Sequence, residues 1–341
     1  MRSRSSRGAA AFLLFFLTAL AGFAQRTELF WPTPNVAWLE GRGINAFVQP
    51  TVSGEITSGC FGCVRSSGSQ FHEGLDLGPV VRNRQGEAED PIFAVLPGIV
   101  RHVAARAGAS SYGRYVVLEH PEATPAVYSL YAHLAAIAPG LKPGDPVARG
   151  QTIGTMGRSA GGYTIPKERA HLHLELGLMV TREFQTWYTT RKFGSRNDHG
   201  LWNGMNLMGI DPLDAFNAFR SKRVATFAEY FAGMGTAVRL RIATRRIPDF
   251  TQRYPSLVER GTDELIAGWE VSFNATGLPF RWQPLSIAQV MGYRPNEVRI
   301  LETNEAVLKS MRCRSLIVKR RGKPEPGPDL RTVLQQLFGL P

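Results

Sequence analysis

The stretch "RAHLHLELGL", residues 169–178, carries His171 and His173 one residue apart in an otherwise apolar run. In a strand, side chains alternate between two faces. His171, His173 and Glu175 then share one face, and Leu172, Leu174 and Leu176 the other. On a helix the two imidazoles would stand about 200° apart and could not serve one site. The run therefore reads as a strand with a core side and a chemically equipped side.

Working outward, residues 60–178 hold short β-rich runs bounded by Gly and Pro: "PIFAVLPGIVRHV" (91–103), "GRYVVLEH" (113–120) and "AVYSLYAHL" (126–134). "PGLKPGDPVARGQTIGTMG" (139–157) reads as tight turns around very short strands. The region is expected to be all-β. Residues 179–210 lack a clear period and are expected to form a long loop inserted after it. "DPLDAFNAFRSKRVATFAEYFAGMG" (211–235) reads as helix, with Asp211 as N-cap and Pro212 at the first helical position. In 222–341 the texture changes to a smaller α+β domain. "AVRLRIATRRI" and "AGWEVSF" read as strands, "PLSIAQVMGY" as a short helix and "PDLRTVLQQLFGL" as a closing helix, with "KRRGKPEPGPD" (319–329) as a solvated loop. The fold class is thus mainly β, with an α+β C-terminal domain.

The chain begins "MRSRSSRGAAAFLLFFLTALAGFAQ", a basic stretch, a short apolar run and small residues, which is the design of a secretory signal over 1–24. The apolar run falls short of the ~20 residues of a confident membrane span. The expectation is an exported, periplasmic or extracellular protein with no stable membrane span. Residues 25–58 are a leading segment broken by Pro32, Pro34 and Pro50. The formal charge is +12, and Arg2, Arg4 and Arg7 of the leader account for three of it, leaving +9. That balance suits an anionic envelope polymer, while the export signal argues against nucleic acid. Of Cys60, Cys63 and Cys313, two are expected to pair in an oxidising compartment and one is left over.

Upstream, "FHEGLDLG" (71–78) places His72 four residues before Asp76. Fully extended they would lie ~13 Å apart, so the chain must bend, and Gly74 between them allows it. His and Asp are zinc ligands, and two His with one carboxylate is an established set for hydrolytic zinc with an open position for water. One histidine of the "HLH" strand completes three ligands; the residues alone leave open which one. In "YSLYAHL" (128–134), alternation puts Ser129, Tyr131 and His133 on one face.

"HEGLD", "YAHL" and "HLHLEL", in this order with "GDPVARGQTIGTMG" before the last, resemble the lysostaphin-like (LytM-type) zinc endopeptidases of bacterial cell walls. The resemblance covers roughly 60–178, with "DPL" at 211–213 similar to that domain's exit. It implies an antiparallel β-sheet groove, one Zn2+ per chain held by His72, Asp76 and His173, and His133 and His171 as flanking catalytic histidines. It implies hydrolysis of peptide bonds in peptidoglycan stems or cross-links by activated water, with the two histidines sharing proton transfer and oxyanion stabilisation. The chain departs from the pattern at Ala170, where the family usually has Pro, in the longer 161–170 stretch, and in 179–210. Arg65 matches a common arginine and reads as structural or groove-lining. Glu175 reads equally as a partner of a ligand or as solvated, and Trp187, Tyr188 and Trp202 as packing the loop or lining the groove, with packing favoured. Non-catalytic relatives that bind peptidoglycan or activate hydrolases are the alternative; filled ligand and histidine positions argue against it. The "LKPGDPVARGQTIG" likeness to biotinyl and lipoyl carriers lacks the carrier's Met-Lys tip. A wall- or partner-binding role for 222–341 is the reading its basic runs allow.

Overall fold

The structure, a computed structural model, describes residues 26–261 and 265–340. The leader read over 1–24 lies outside them.

The largest sheet is antiparallel throughout, in the order Leu207–Ile210, Leu172–Met179, Val127–Ala132, Tyr115–His120, Gly98–Ala104 and Pro146–Val147. Leu75–Leu77 also pairs with Leu172–Met179, opposite Leu172 to Leu174. Leu172, Leu174, Leu176 and Leu178 are fully buried in the main apolar cluster, as the alternation requires. The other face is buried too: Glu175 and Met179 are hardly exposed. The equipped side of this strand therefore looks into protein and groove, not into bulk water.

A separate two-stranded hairpin, Gly62–Arg65 with Gln70–His72, stands outside this sheet. Pro91–Phe93, Thr152–Thr155 and Ala136–Ile137 form a small third sheet. Beyond residue 237, Pro279–Leu285, Gly268–Phe273, Val238–Ile242 and Val298–Thr303 form a four-stranded antiparallel sheet. Its inner face (Leu240, Trp269, Val271, Phe273, Trp282) and the helix Pro328–Phe338 belong to the same apolar cluster as Leu75 and Leu172. One continuous core thus joins the two sheets.

Several expectations are corrected. Residues 179–210 are not a loop: Phe184–Arg191 is a helix and Leu207–Ile210 is an edge strand. Phe184, Trp187 and Tyr188 pack on one another in a local cluster, a contact that a long-range helical stripe would not reveal. The 211–235 stretch is two helices, Pro212–Arg220 and Phe227–Ala232, separated where Lys222 takes a left-handed conformation. Asp211 caps the first as expected, accepting from the Leu213 and Asp214 amides. Thr226 caps the second, accepting from Glu229 N–H. "PLSIAQVMGY" is the end of the Pro279–Leu285 strand and a short 3-10 turn, Ala288–Val290. Residues 319–329 are not a loop: they take part in a hairpin, Ile317–Arg320 with Lys323–Pro326, turned by Arg321 and Gly322, both at positive φ as a two-residue hairpin loop prefers.

The leading segment is part of the core. Trp31 and Trp38 stack at 4.7 Å and meet Phe47 and Phe216, and Gln49 N–H donates to the Asp76 carbonyl. Cys63 pairs with Cys313 across 250 residues, and Cys60 is the free thiol. No helix among the described residues is long and apolar enough to cross a membrane.

Candidate metal centre

The chain leaves the small hairpin at His72 and enters the large sheet at Leu75. This switch, rather than a bend within one strand, brings His72 Nε2 to 3.1 Å from Asp76 Oδ1. Gly74 serves it through close approach: a Cβ there would meet the Leu174 carbonyl and lie 3.0 Å from the His173 ring. Asp76 sits directly opposite His173 in the sheet register. His173 Nδ1 is 3.0 Å from Asp76 Oδ1 and 3.0 Å from His72 Nε2. All three residues are buried. They are the group of donors among the described residues able to hold a metal ion.

The remaining atoms of these residues are already engaged. His72 Nδ1 donates to the Cys60 carbonyl at 2.7 Å, which leaves Nε2 and its lone pair for the cluster. Asp76 Oδ2 accepts from Arg65 at 2.5 Å, which leaves Oδ1. His173 Nε2 faces Glu175 at 3.0 Å, which leaves Nδ1. Glu175 also accepts from the hydroxyls of Tyr112 (2.6 Å) and Tyr128 (3.0 Å). This is the outer support that metal-binding imidazoles receive: the far nitrogen donates to a carboxylate or carbonyl that fixes ring and tautomer. Burial, then the adjacent Glu175, raises both tyrosine hydroxyls far above their ordinary value, so they stay protonated and donate.

The donor set fits zinc. Two imidazole nitrogens and one carboxylate oxygen stand 3.0–3.1 Å apart, whereas donors ~2.1 Å from a tetrahedral ion would stand about 3.4 Å apart. Opening by about 0.3 Å is within side-chain adjustment. Burial would raise the Asp76 carboxyl, but His72 and His171, with hydrogen bonds from His173 and His72, hold it well below the usual carboxylate range. Without metal, burial pushes the His173 ring down, and its bonds to Asp76 and Glu175 more than reverse this, to about 9. Metal must therefore displace a proton from His173.

His133 and His171 lie beside the cluster. Their rings are 4.7 Å apart, and His133 is 5.9 Å from His173 by ring centroids. His171 Nε2 is 3.6 Å from Asp76 Oδ1. Both Nδ1 atoms are held by backbone carbonyls, His133 to Ser159 and His171 to Arg169, each at 2.8 Å. Both therefore present Nε2 to the site. Burial, followed by the neighbouring His171 and His173, lowers His133 well below its usual value. Burial also lowers His171, against the opposing pull of Asp76.

The reading of "YSLYAHL" needs correction. Tyr131 and Ser129 do not share a face with His133. Tyr131 lies in the main core, where its hydroxyl accepts from Val95 N–H, and Ser129 faces His120. His133 follows the end of the strand in a left-handed conformation, φ 61°. That single residue shifts the phase and turns the imidazole towards the cluster.

A groove of about 840 Å³ runs over the site, with His133, His173, Tyr112, Arg65 and Glu73 among its lining residues. One wall comes from the 179–210 segment, including Tyr188, Arg196, Asp198 and His199. His199 Nδ1 is 3.4 Å from His102 Nε2. Trp187 packs rather than lining the groove, as expected, while Tyr188 does both. No residue of 26–58 lines it. Sequence reading missed Tyr112 and Ser159, which support Glu175 and His133; both sit in glycine-flanked turns that carry no spacing signal.

Among curated proteins, none matches this chain in sequence. Several solved structures are similar to part of it, among them these three. The catalytic domain of a point mutant of the prophage-encoded M23 protein EnpA from Enterococcus faecalis is 24% identical, covers 38% of this chain and 80% of its own, and has a TM-score of 0.28. A putative glycyl-glycine endopeptidase LytM from Ruminococcus gnavus is 29% identical over 31% of this chain and 39% of that one, at a TM-score of 0.25. The catalytic domain of lysostaphin from Staphylococcus simulans is 17% identical over 51% and 95%, at 0.31. The model of peptidase family M23 matches residues 70–183, a span that contains His72, Asp76, His133, His171 and His173. Over that span, about a third of the chain, it is similar to peptidase family M23.

Proposed function

We propose that this protein is an exported zinc endopeptidase that hydrolyses peptide bonds of peptidoglycan stems or cross-links. The observation that carries the reading is the convergence of His72 Nε2, Asp76 Oδ1 and His173 Nδ1 within 3.1 Å, beneath a groove and beside two further imidazoles. The family match supports the metallopeptidase class.

His72, Asp76 and His173 would hold the ion, which supplies Lewis acidity towards a carbonyl and acidifies water. The rest is done by the chain's own side chains. His133 and His171 are free imidazoles at neutral pH, since both are lowered from their usual value. Each has a fixed Nε2 able to accept a proton from water and pass it to the departing amine. A ring that has taken up the proton also stabilises the oxyanion. Arg65 keeps Asp76 oriented through Oδ2, and Glu175 does the same for His173. The groove admits an extended polymer, and the wall built by 179–210 shapes which peptide enters. The net charge of +9 left after the leader's three arginines favours an anionic envelope polymer.

The test is incubation of purified protein with peptidoglycan while newly freed amino groups are counted. Amine release lost in both His72→Ala and His133→Ala is the expected result, and fragment masses name the bond. A zinc-loaded protein that releases no amine from any peptidoglycan tested would overturn the catalytic reading in favour of a binding or activator role.

A further inference from the structure

Two of the three donors are fixed by the large sheet. Asp76 and His173 face each other across paired strands. His72 is not: it ends the Gly62–Arg65/Gln70–His72 hairpin, a two-stranded unit outside that sheet. Such a hairpin is marginally stable on its own. Yet it carries, besides His72, the Arg65 that holds Asp76, and it follows directly on the Cys60 carbonyl that orients His72. Something outside the hairpin must hold it to about the tolerance of a metal ligand.

Four consecutive residues far along the chain all touch it. Met311 packs on Gly62, where a Cβ would lie 3.1 Å from its methyl carbon. Arg312 donates to the Ser67 carbonyl at 2.8 Å, at the hairpin's turn, and its guanidinium lies so close over Gly68 that a side chain there would clash. Cys313 is bonded to Cys63. Arg314 lies over the Phe71 ring at 5.1 Å, next to His72 in sequence. These four residues are tied in turn to the closing helix: Ser315 N–H donates to Asp329 at 2.6 Å, and Arg314 is 3.6 Å from the same carboxylate. They lie outside the matched family span, 70–183.

We infer that Met311–Arg314 is a brace for the metal centre: its residues are positioning residues that hold His72 and Arg65 in ligand geometry. Part of the role of the C-terminal region is then to complete the zinc site from outside the family domain. This rests on the zinc reading given above.

The test compares zinc dissociation constants, by chelator competition on the full chain, with thermal unfolding. Cys63→Ser/Cys313→Ser is expected to weaken zinc binding at least tenfold. Arg312→Ala/Arg314→Ala, which keeps the disulfide, is expected to weaken it at least threefold and decides the matter if the first variant does not fold. Val271→Ala, in the four-stranded sheet and outside the hairpin and donor contacts given above, serves as a destabilised control that lowers the melting temperature and leaves zinc affinity unchanged. A folded brace variant with zinc affinity within twofold of the parent, or an equal loss in the Val271 control, overturns the inference. A parent protein that takes up no zinc removes the metal reading itself and the brace with it.

Discussion

The two large sheets of this molecule treat ionisable side chains in opposite ways. The seven-stranded sheet and its flanks bury them: His72, Asp76, His133, His173 and Glu175 are each at most 6% exposed. The four-stranded sheet buries Trp269, Val271, Phe273 and Trp282 and keeps its charges at the rim, with the partly exposed Arg239 and Arg241 sharing a mostly covered Glu270, and Arg239 also meeting the exposed Glu302. An exposed charge ladder is nearly free of cost and contributes little. A buried one is expensive unless every member is paired, and stability alone gives no reason to keep it. In the proposed function the first sheet carries the chemistry and the second supports it.

Changes in the first network should then act on metal and chemistry, and changes in the second on neither. The largest effect is expected from His133→Ala. Turnover should fall by about 10²–10⁴, the range of a lost general acid or base, with zinc content unchanged. Steady-state kinetics and metal analysis on the same sample check both halves.

Glu175→Gln comes next. It keeps the shape but removes the carboxylate that orients His173, and zinc affinity should drop about 10–100-fold. Chelator competition measures it; affinity equal to the parent's would reduce Glu175 to a packing role.

The third concerns pH. The His173 value is raised to about 9 in the metal-free protein, so below that pH the ring carries a proton that zinc must displace. Zinc affinity should therefore rise about tenfold per pH unit between pH 7 and 8 and level off above 9. Calorimetry in buffers of different ionisation enthalpy should show close to one proton released at pH 7. A pH-independent affinity over that window would contradict it.

The smallest effect is expected on the other sheet. Arg239→Ala should change unfolding free energy by about 1 kcal/mol or less and leave zinc affinity and turnover as they were.

How much of this was readable from the chain follows the same division. The strand over 172–179 and the candidate donors His72, Asp76 and His173 were legible because period-two alternation and the His-x-x-x-Asp and His-x-His spacings are local. The antiparallel fold and the family resemblance followed from them. His133 was assigned to the site, but its direction was misread, since one left-handed residue at the strand end breaks the alternation. The Phe184–Arg191 helix was missed because its aromatic residues pack in a local cluster rather than along an extended stripe. The hairpin at 317–326 was hidden by charged residues on both strands and by Pro324 and Pro326 in the second, although its Arg-Gly turn was a usable signal. The Cys63–Cys313 pair, 250 residues apart, has no local signature at all.

The most direct test of the central claim is the zinc content of the purified protein and of three variants. One zinc per chain is expected in the parent and in His133→Ala, and none in His72→Ala or Asp76→Ala. A folded parent without zinc, or full occupancy in His72→Ala, would contradict the assignment of His72, Asp76 and His173 as the metal centre.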